Sequence, residues 1–409
     1  MQRAERNQVE LQASSLDDSL PDEHRARVIW DALEDLDLSG FYEEVGSREG
    51  SAGRPAIDPR ILVALWLYAT CEGVGSAREV ERLCSMHAAY RWICGGVSVN
   101  HHTLSDFRVG HEKGLGDLMT QILGALMSDG LLRLRRVAQD GMRVRGHAGA
   151  ASYRRGASLK ECLREASKQV QAVKKQLGSQ SGSALERHEA AKLRVAKERV
   201  ARVQKAMGKL RELNASKSPA KAAETRVSTT DPECRVMKMA DRGWRPAWNV
   251  QLATVVESRT VVGVRVSDNG NDKGQIEPML AEIGRRTERL PKELLVDGGY
   301  AKLESIEHAA QAGVAVFAPP QQARKADVDP TEPKETDSPA VASWRKRMRT
   351  ERAKAIYKDR ATIAERTNAD LRTWRGLDRI TVRGASKVLC VALWSALTFN
   401  LMRWMELVT

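Results

Sequence analysis

The chain has 409 residues, 42% hydrophobic and 29% charged, enough for roughly two to four domains whose cores form without disulfide help. Its 66 Lys+Arg against 53 Asp+Glu leave a net charge of +13, which points to a polyanionic partner, most often nucleic acid. The six cysteines include no CxxC pair, which argues against a zinc ribbon and favours reduced, buried thiols.

The first residues, MQRAERNQVELQ, contain no apolar stretch of the kind a secretory signal needs. The longest mostly apolar run, Val388–Met402, has 15 residues. A bilayer span needs about 20, so the run reads as a buried helix. The expectation is a cytoplasmic protein with no membrane partner.

Residues 1–22 are polar and read as loosely ordered. Residues 23–130 read as an all-helical domain. Val28, Ile29, Leu33 and Leu36 recur at helical spacing. Asp58-Pro59 gives a cap and a first-turn proline before Ile61, Leu62, Leu65, Trp66 and Tyr68. Ser76 caps Ala77–Met86, and Leu115–Met127 is amphipathic. The texture then changes. Leu132–Gln139 alternates like a half-buried strand and ends at Asp140-Gly141.

Residues 158–213 read as a helical hairpin turning at Gly178–Gly182. The segment 154–226 carries 19 Lys+Arg and 7 Asp+Glu, so nearly the whole molecular charge excess lies in this insertion. Beyond Pro232, Trp248–Glu257 and Val261–Ser267 read as paired strands around Ser258-Arg259. Asp272–Arg289 reads as a helix, with Asp272 as its cap. Glu293–Val296 is a short strand before Asp297-Gly298-Gly299-Tyr300, Leu303–Gln311 a helix, and Val314–Phe317 a strand stopped by Pro319-Pro320. Residues 321–341 read as a mobile linker. Two long helices close the chain, about 343–373 and 385–406.

This order predicts an α/β catalytic domain over 131–153 and 227–409, with a ribonuclease H-like mixed sheet and a helical insertion after its first strand. Three carboxylates would then converge. Asp140 ends the first strand, Asp297 ends the fourth, and Glu365 lies on the helix after the last. Clustered carboxylates repel unless a cation joins them. Oxygen ligands suit Mg²⁺ or Mn²⁺, and two such ions activate an attacking oxygen and stabilise a leaving one at a phosphodiester.

These residues resemble the DDE transposases of bacterial insertion sequences, in the branch with a Tyr…Arg…Glu…Lys signature. The resemblance runs from about residue 50 to 405. Gly53-Arg54-Pro55, Asp58-Pro59-Arg60, Arg78-Glu79-Val80 and His102-Thr103-Leu104-Ser105-Asp106-Phe107-Arg108 resemble the family's N-terminal domain. Asp140-Gly141-Met142-Arg143-Val144 and Asp297-Gly298-Gly299-Tyr300 resemble its two Asp motifs. Thr230-Asp231-Pro232 with Trp248-Asn249-Val250-Gln251 resembles the start of its second half. Tyr357…Arg360…Glu365…Arg372 resembles the third motif, and Asn400-Leu401 the closing helix.

Two departures stand out. Four residues separate Arg360 from Glu365 where the family has three, and Arg372 stands where it has Lys. On a helical wheel Tyr357, Glu365, Asn368 and Arg372 share an arc of about 80°, with Arg360 roughly 60° outside it.

The resemblance implies a DNA transposase that cleaves element ends and joins the freed 3′-hydroxyl to target DNA. Asp140, Asp297 and Glu365 would be the catalytic and metal-binding residues, with two Mg²⁺ or Mn²⁺ per site. Tyr357, Arg360, Arg372 and Trp374 are the DNA-contact candidates, although a core position is the plainer reading of Trp374. Partners would be the terminal inverted repeats, target DNA and further copies of the chain in a synaptic complex. Rival readings are a non-catalytic DNA-binding descendant and a ribonuclease H-like nuclease without strand transfer. His87, His101, His102 and His147 lack metal-ligand spacing and read as capping or surface residues.

Overall fold

A computed structural model describes residues 15–43, 56–177, 183–321 and 329–408. The expected turn at Gly178–Gly182 and the residues Gly53-Arg54-Pro55 lie outside them.

Up to Ser128 the described chain is helical. Pro59–Cys71 is the central helix: the Asp58 carboxylate accepts from the Arg60 amide, Pro59 sits in the first turn, and every residue but Arg60 is buried. Trp66 is wholly buried and its indole N–H donates to the Leu104 carbonyl. Truncating such a residue costs about 3–5 kcal/mol. Residues 15–22, expected to be loose, are tied down instead. Asp17 accepts from Arg27 at 2.8 Å and from the Trp92 indole at 2.9 Å.

The strands are β1 (Arg136–Arg145), β2 (Tyr153–Arg154), β3 (Val227–Ser228), β4 (Arg235–Lys238), β5 (Trp244–Val255), β6 (Val261–Ser267), β7 (Glu293–Leu295) and β8 (Ala315–Phe317). One mixed sheet runs β4-β5-β1-β7-β8, and β6 shares the outer edge of β5 with β4. β5 is antiparallel to β1 and β6, whereas β1, β7 and β8 are parallel. The chain is thus mixed α/β, consistent with the ribonuclease H-like expectation. β2 and β3 form a separate small ribbon.

Several boundaries differ from the sequence expectation, each for a local reason. Leu132 is not in a strand: with Leu131 it folds back onto the Leu126 carbonyl past Gly130, whose φ is +71°. β1 instead continues to Arg145, because Met142 and Val144 alternate inward and pair with β5. The helix expected from Asp272 starts at Ile276. The helix expected over 343–373 is two helices, Pro339–Arg349 and Glu351–Thr373, separated by Thr350, which ends one and caps the other. The described part of the 321–341 linker is anchored: Arg345 pairs with Asp337 at 2.7 Å, with side chains 8% and 2% exposed.

Between β2 and β3 lie the helices Gly156–Leu177 and Ser183–Asn214, which pack on each other and on Val227. Lys205–Glu233 at 2.6 Å and Lys209–Asp268 at 2.9 Å tie the second helix to the sheet domain. The last helix, Ala385–Val408, is long and apolar enough to cross a membrane, but 72% of its apolar window is buried inside the molecule. Asn400 clamps it to β6 by bonding both the amide and the carbonyl of Val261 at 2.8 Å.

Candidate active site

Ala138 of β1 stands opposite Leu295 of β7 in parallel register. Two residues further on, Asp140 and Asp297 therefore leave that pair of strands at the same level. Asp140 does not end its strand as expected: the pairing with β7 stops at Ala138, while β1 runs on through Asp140, opposite Leu252 of β5, to Arg145. Arg136 fixes this corner, bonding Glu293 of β7 and Asp359 of the Glu351–Thr373 helix, both at 2.7 Å.

That helix supplies the polar contacts to the aspartates. The Arg360 guanidinium donates to Asp140 at 3.0 Å and lies 3.7 Å from Asp297. The Asn368 amide donates to the second Asp140 oxygen at 2.9 Å. The other Asp297 oxygen accepts from the Gly299 amide at 2.6 Å. Burial raises the Asp140 pKa, Arg360 opposes this, and the nearby Asp297 and Asp272 charges add to it. Tyr357 is half-buried beside the same charges, and burial raises its pKa against the pull of Arg360.

The wheel placed Arg360 away from this face, and the structure corrects that. A guanidinium on a long flexible stem crosses a 60° offset that a shorter side chain could not, about two-thirds of a residue step on a helix. Asn368 was on the expected face, but nothing in the sequence marked it as a partner of Asp140. Glu365 is exposed and bonds neither aspartate; with Arg372 it lines a cleft of about 570 Å³ that also contains Asp140, Arg143, Lys238 and Asn368. Among the described residues no group of three His, Cys, Asp or Glu sits close enough to hold a metal ion. Trp374 is 64% exposed, so the core reading fails for it. His87 caps a helix by accepting from the Ala89 amide, and His101 pairs with Glu81.

Beneath the aspartates lies a buried polar network that the sequence reading missed. Asp272 does not cap a helix. Its Oδ1 accepts from Asn249 at 2.8 Å and Gln251 at 2.7 Å, and its Oδ2 faces Arg143 at 3.2 Å. The Gln251 carbonyl oxygen accepts from the Tyr300 hydroxyl at 2.6 Å and from Gln139 at 3.1 Å. Gly141 makes room for this packing: a Cβ there would lie 2.3 Å from Asp272 Oδ1 and 2.4 Å from Gln251 Nε2. Alternating polar residues inside an otherwise apolar strand (Asn249 and Gln251) were the available signal.

Oxygen donors of the kind a hard divalent cation takes are present, but among the described residues they are not gathered into one ligand set. A positive group already lies between two carboxylates, and a third carboxylate lines the adjoining cleft. Arg360 and Asn368 each donate to one Asp140 oxygen, so a cation approaching Asp140 meets a positive guanidinium already in place.

The Transposase domain (DUF772) family model matches residues 14–110, and the Transposase DDE domain model matches residues 220–401. Asp297, Arg360, Glu365, Arg372 and Trp374 fall within the second match, and Asp140 lies between the two. No curated protein and no solved structure matches the chain. With an N-terminal transposase domain followed by a DDE domain in the order that its motifs require, the chain belongs to the DDE transposases of insertion sequences.

Proposed function

We propose that the protein catalyses transposition by metal-dependent cleavage at element ends followed by strand transfer. The observation that carries this reading is the meeting of Asp140 and Asp297 on one guanidinium, beside a cleft lined by Glu365. Asp140, Asp297 and Glu365 would hold two Mg²⁺ or Mn²⁺ ions. When bound, such ions activate the attacking oxygen and stabilise the departing 3′-oxygen.

The chain's own residues do the rest. Arg143, Lys238 and Arg372 line the cleft and neutralise the phosphate there. Trp374 offers an exposed ring to an unpaired base. In the first reaction water attacks phosphorus and the bond to the 3′-oxygen breaks. In the second the freed 3′-hydroxyl attacks a target phosphodiester, and the target's own 3′-oxygen leaves.

In this reading residues 23–130 bind terminal DNA, 131–153 with 227–409 form the catalytic domain, and 154–226 form a basic insertion that grips phosphates. Two or more copies would join the two ends in a synaptic complex.

The test is a duplex carrying a terminal inverted repeat, supplied intact and with a pre-cut 3′-hydroxyl end, in the presence of Mg²⁺. Cleavage of the first and joining of the second to target DNA are expected. Cleavage without joining would reduce the protein to a nuclease. Binding without either reaction would leave a non-catalytic DNA-binding protein.

A further inference from the structure

A second polar recess lies where the N-terminal helices meet the loop that follows the Glu351–Thr373 helix. Arg108 lines it, along with Ser76, Ala77, Arg78, His102 and Arg379. Arg108 is 9% exposed. Its guanidinium lies 4.7 Å from the Trp66 ring centroid and donates to the Gly75 carbonyl at 2.5 Å. Its Nε–H is buried and has no hydrogen-bond partner. Among the described residues no carboxylate forms an ion pair with it, and burial alone pulls its pKa down to about 10. A cation buried without an anion is costly, and a ligand that supplies the anion removes the cost.

The other walls are suited to the same charge. Ser76 caps the ten-residue helix Ala77–Met86 by accepting from the Glu79 amide, and Ala77 and Arg78, in its first turn, line the recess at the positive end of the helix dipole. Arg78, His102 and Arg379 are exposed at the rim. The one carboxylate among the lining residues, Asp378, is also exposed.

The position matters as much as the charge. Arg372 lines the catalytic cleft, Trp374 is exposed, and Gly376, Asp378 and Arg379 line this recess, all within eight residues of chain. The Trp374 carbonyl would be 3.3 Å from a Cβ on Gly73, another lining residue.

We propose that this recess is a phosphate-binding site that takes a backbone phosphodiester of the DNA whose scissile bond lies in the catalytic cleft. The inference rests on the transposase reading and adds to it an anchoring point outside the acidic site. Trp374 lies between the two sites along the chain and is exposed, so a base displaced from the stack could meet its ring. The same chemistry would accept free inorganic phosphate, and the experiment separates the two sources.

The probes are inorganic phosphate and an element-end duplex, applied to the full chain and to R78A, R379A and the double variant. Both rim side chains are exposed, so these variants are expected to fold. Phosphate titrated at constant ionic strength against chloride should raise the melting temperature of the wild type saturably, with weaker affinity in each variant and at least tenfold weaker in the double. The slope of log K against log salt for the duplex should fall by about 1 in the double variant, because one DNA phosphate is no longer neutralised there. Arg108→Lys, which keeps the charge but not the fork, should weaken phosphate binding without abolishing it.

No phosphate-specific shift in the wild type, or an unchanged duplex slope in the double variant, would overturn the proposal. Phosphate protection with an unchanged slope would assign the recess to free phosphate instead. Cleavage is scored separately: a reduced slope with cleavage retained in D140N, D297N and E365Q leaves this site standing and removes the catalytic assignment.

Discussion

If Arg360 holds the place between Asp140 and Asp297 that a divalent ion would take, removing its charge should tighten metal binding. The opposite holds for a guanidinium that merely braces the helix. Arg360→Gln is the informative change, since Gln keeps a polar end while losing the charge. The contact at 3.0 Å corresponds to a gross attraction of about 5 kcal/mol at an effective dielectric constant near 20. Screening and desolvation reduce it, since the Arg360 and Asp140 side chains are 16% and 21% exposed, leaving a coupling of about 1–2 kcal/mol between the two groups, smaller than the desolvation that keeps the Asp140 pKa raised. The 3.7 Å approach to Asp297, 40% exposed, is screened and adds at most a few tenths of a kcal/mol. An ion entering the wild-type site must displace this guanidinium. Mn²⁺ should therefore bind the variant about tenfold more tightly, since 1.4 kcal/mol is a factor of ten.

Mn²⁺ titration followed by electron paramagnetic resonance reads this affinity directly and needs no turnover. A melting curve in chelator should fall by a few degrees for Arg360→Gln and recover when Mn²⁺ is added. The pH dependence supplies a second check. Burial raises the Asp140 pKa and Arg360 lowers it, so the variant's Asp140 should hold its proton to higher pH. Metal affinity should accordingly fall off, on acidification, at a higher pH in the variant than in the wild type. Equal or weaker Mn²⁺ binding by Arg360→Gln, at a pH where Asp140 is ionised in both proteins, would refute the idea that Arg360 and the ion compete.

Asp140→Asn, Asp297→Asn and Glu365→Gln should each lower cleavage and joining by orders of magnitude while DNA affinity is held within a few fold, measured on one end-containing duplex. The folded-state Asp140 pKa is raised, so its contribution to stability is present below the ordinary carboxylate range and lost as pH rises through the folded value. At pH 7 Asp140→Asn should not lower the melting temperature of the metal-free protein. Gly141→Ala should cost more than about 3 kcal/mol in urea unfolding, because its Cβ would fall 2.3 Å from Asp272 Oδ1 in a buried network. Deleting 158–213 should flatten the log K against log salt slope for DNA; an unchanged slope would show that the hairpin does something other than contact phosphates, such as pairing copies of the chain.

The sheet was legible from the sequence where strands are apolar and bounded by turns. Val261–Ser267 and the Leu303–Gln311 helix keep their expected limits, and Asp297 falls just beyond its strand. Legibility failed where tertiary packing chooses between two local options. Leu132–Arg135 has the alternation of a strand, but Gly130 turns the chain back onto the preceding helix and claims Leu131 and Leu132. Asp272-Lys273 looks like a helix start, yet the carboxylate turns inward because Asn249 and Gln251 present two buried amides that need an acceptor.

The candidate site divides in the same way. Register alone brings Asp140 and Asp297 level, because both follow paired residues of adjacent parallel strands by two positions. Side-chain reach does not follow from register. The wheel treats each residue as a direction from the helix axis, which suits Asn368 and fails for Arg360, whose guanidinium lies far from its own Cα. The extra residue between Arg360 and Glu365 then has a physical consequence. It turns Glu365 by a further 100° relative to Arg360, to the side where the cleft opens, while Arg360 still reaches both aspartates. An ion that drew all three carboxylates together would have to displace Arg360 and bring Glu365 inward. In the proposed reading, the spacing that weakens the motif match lets Arg360 neutralise the two aspartates while no ion is bound, and Glu365 would join them as a third ligand only once that guanidinium withdraws.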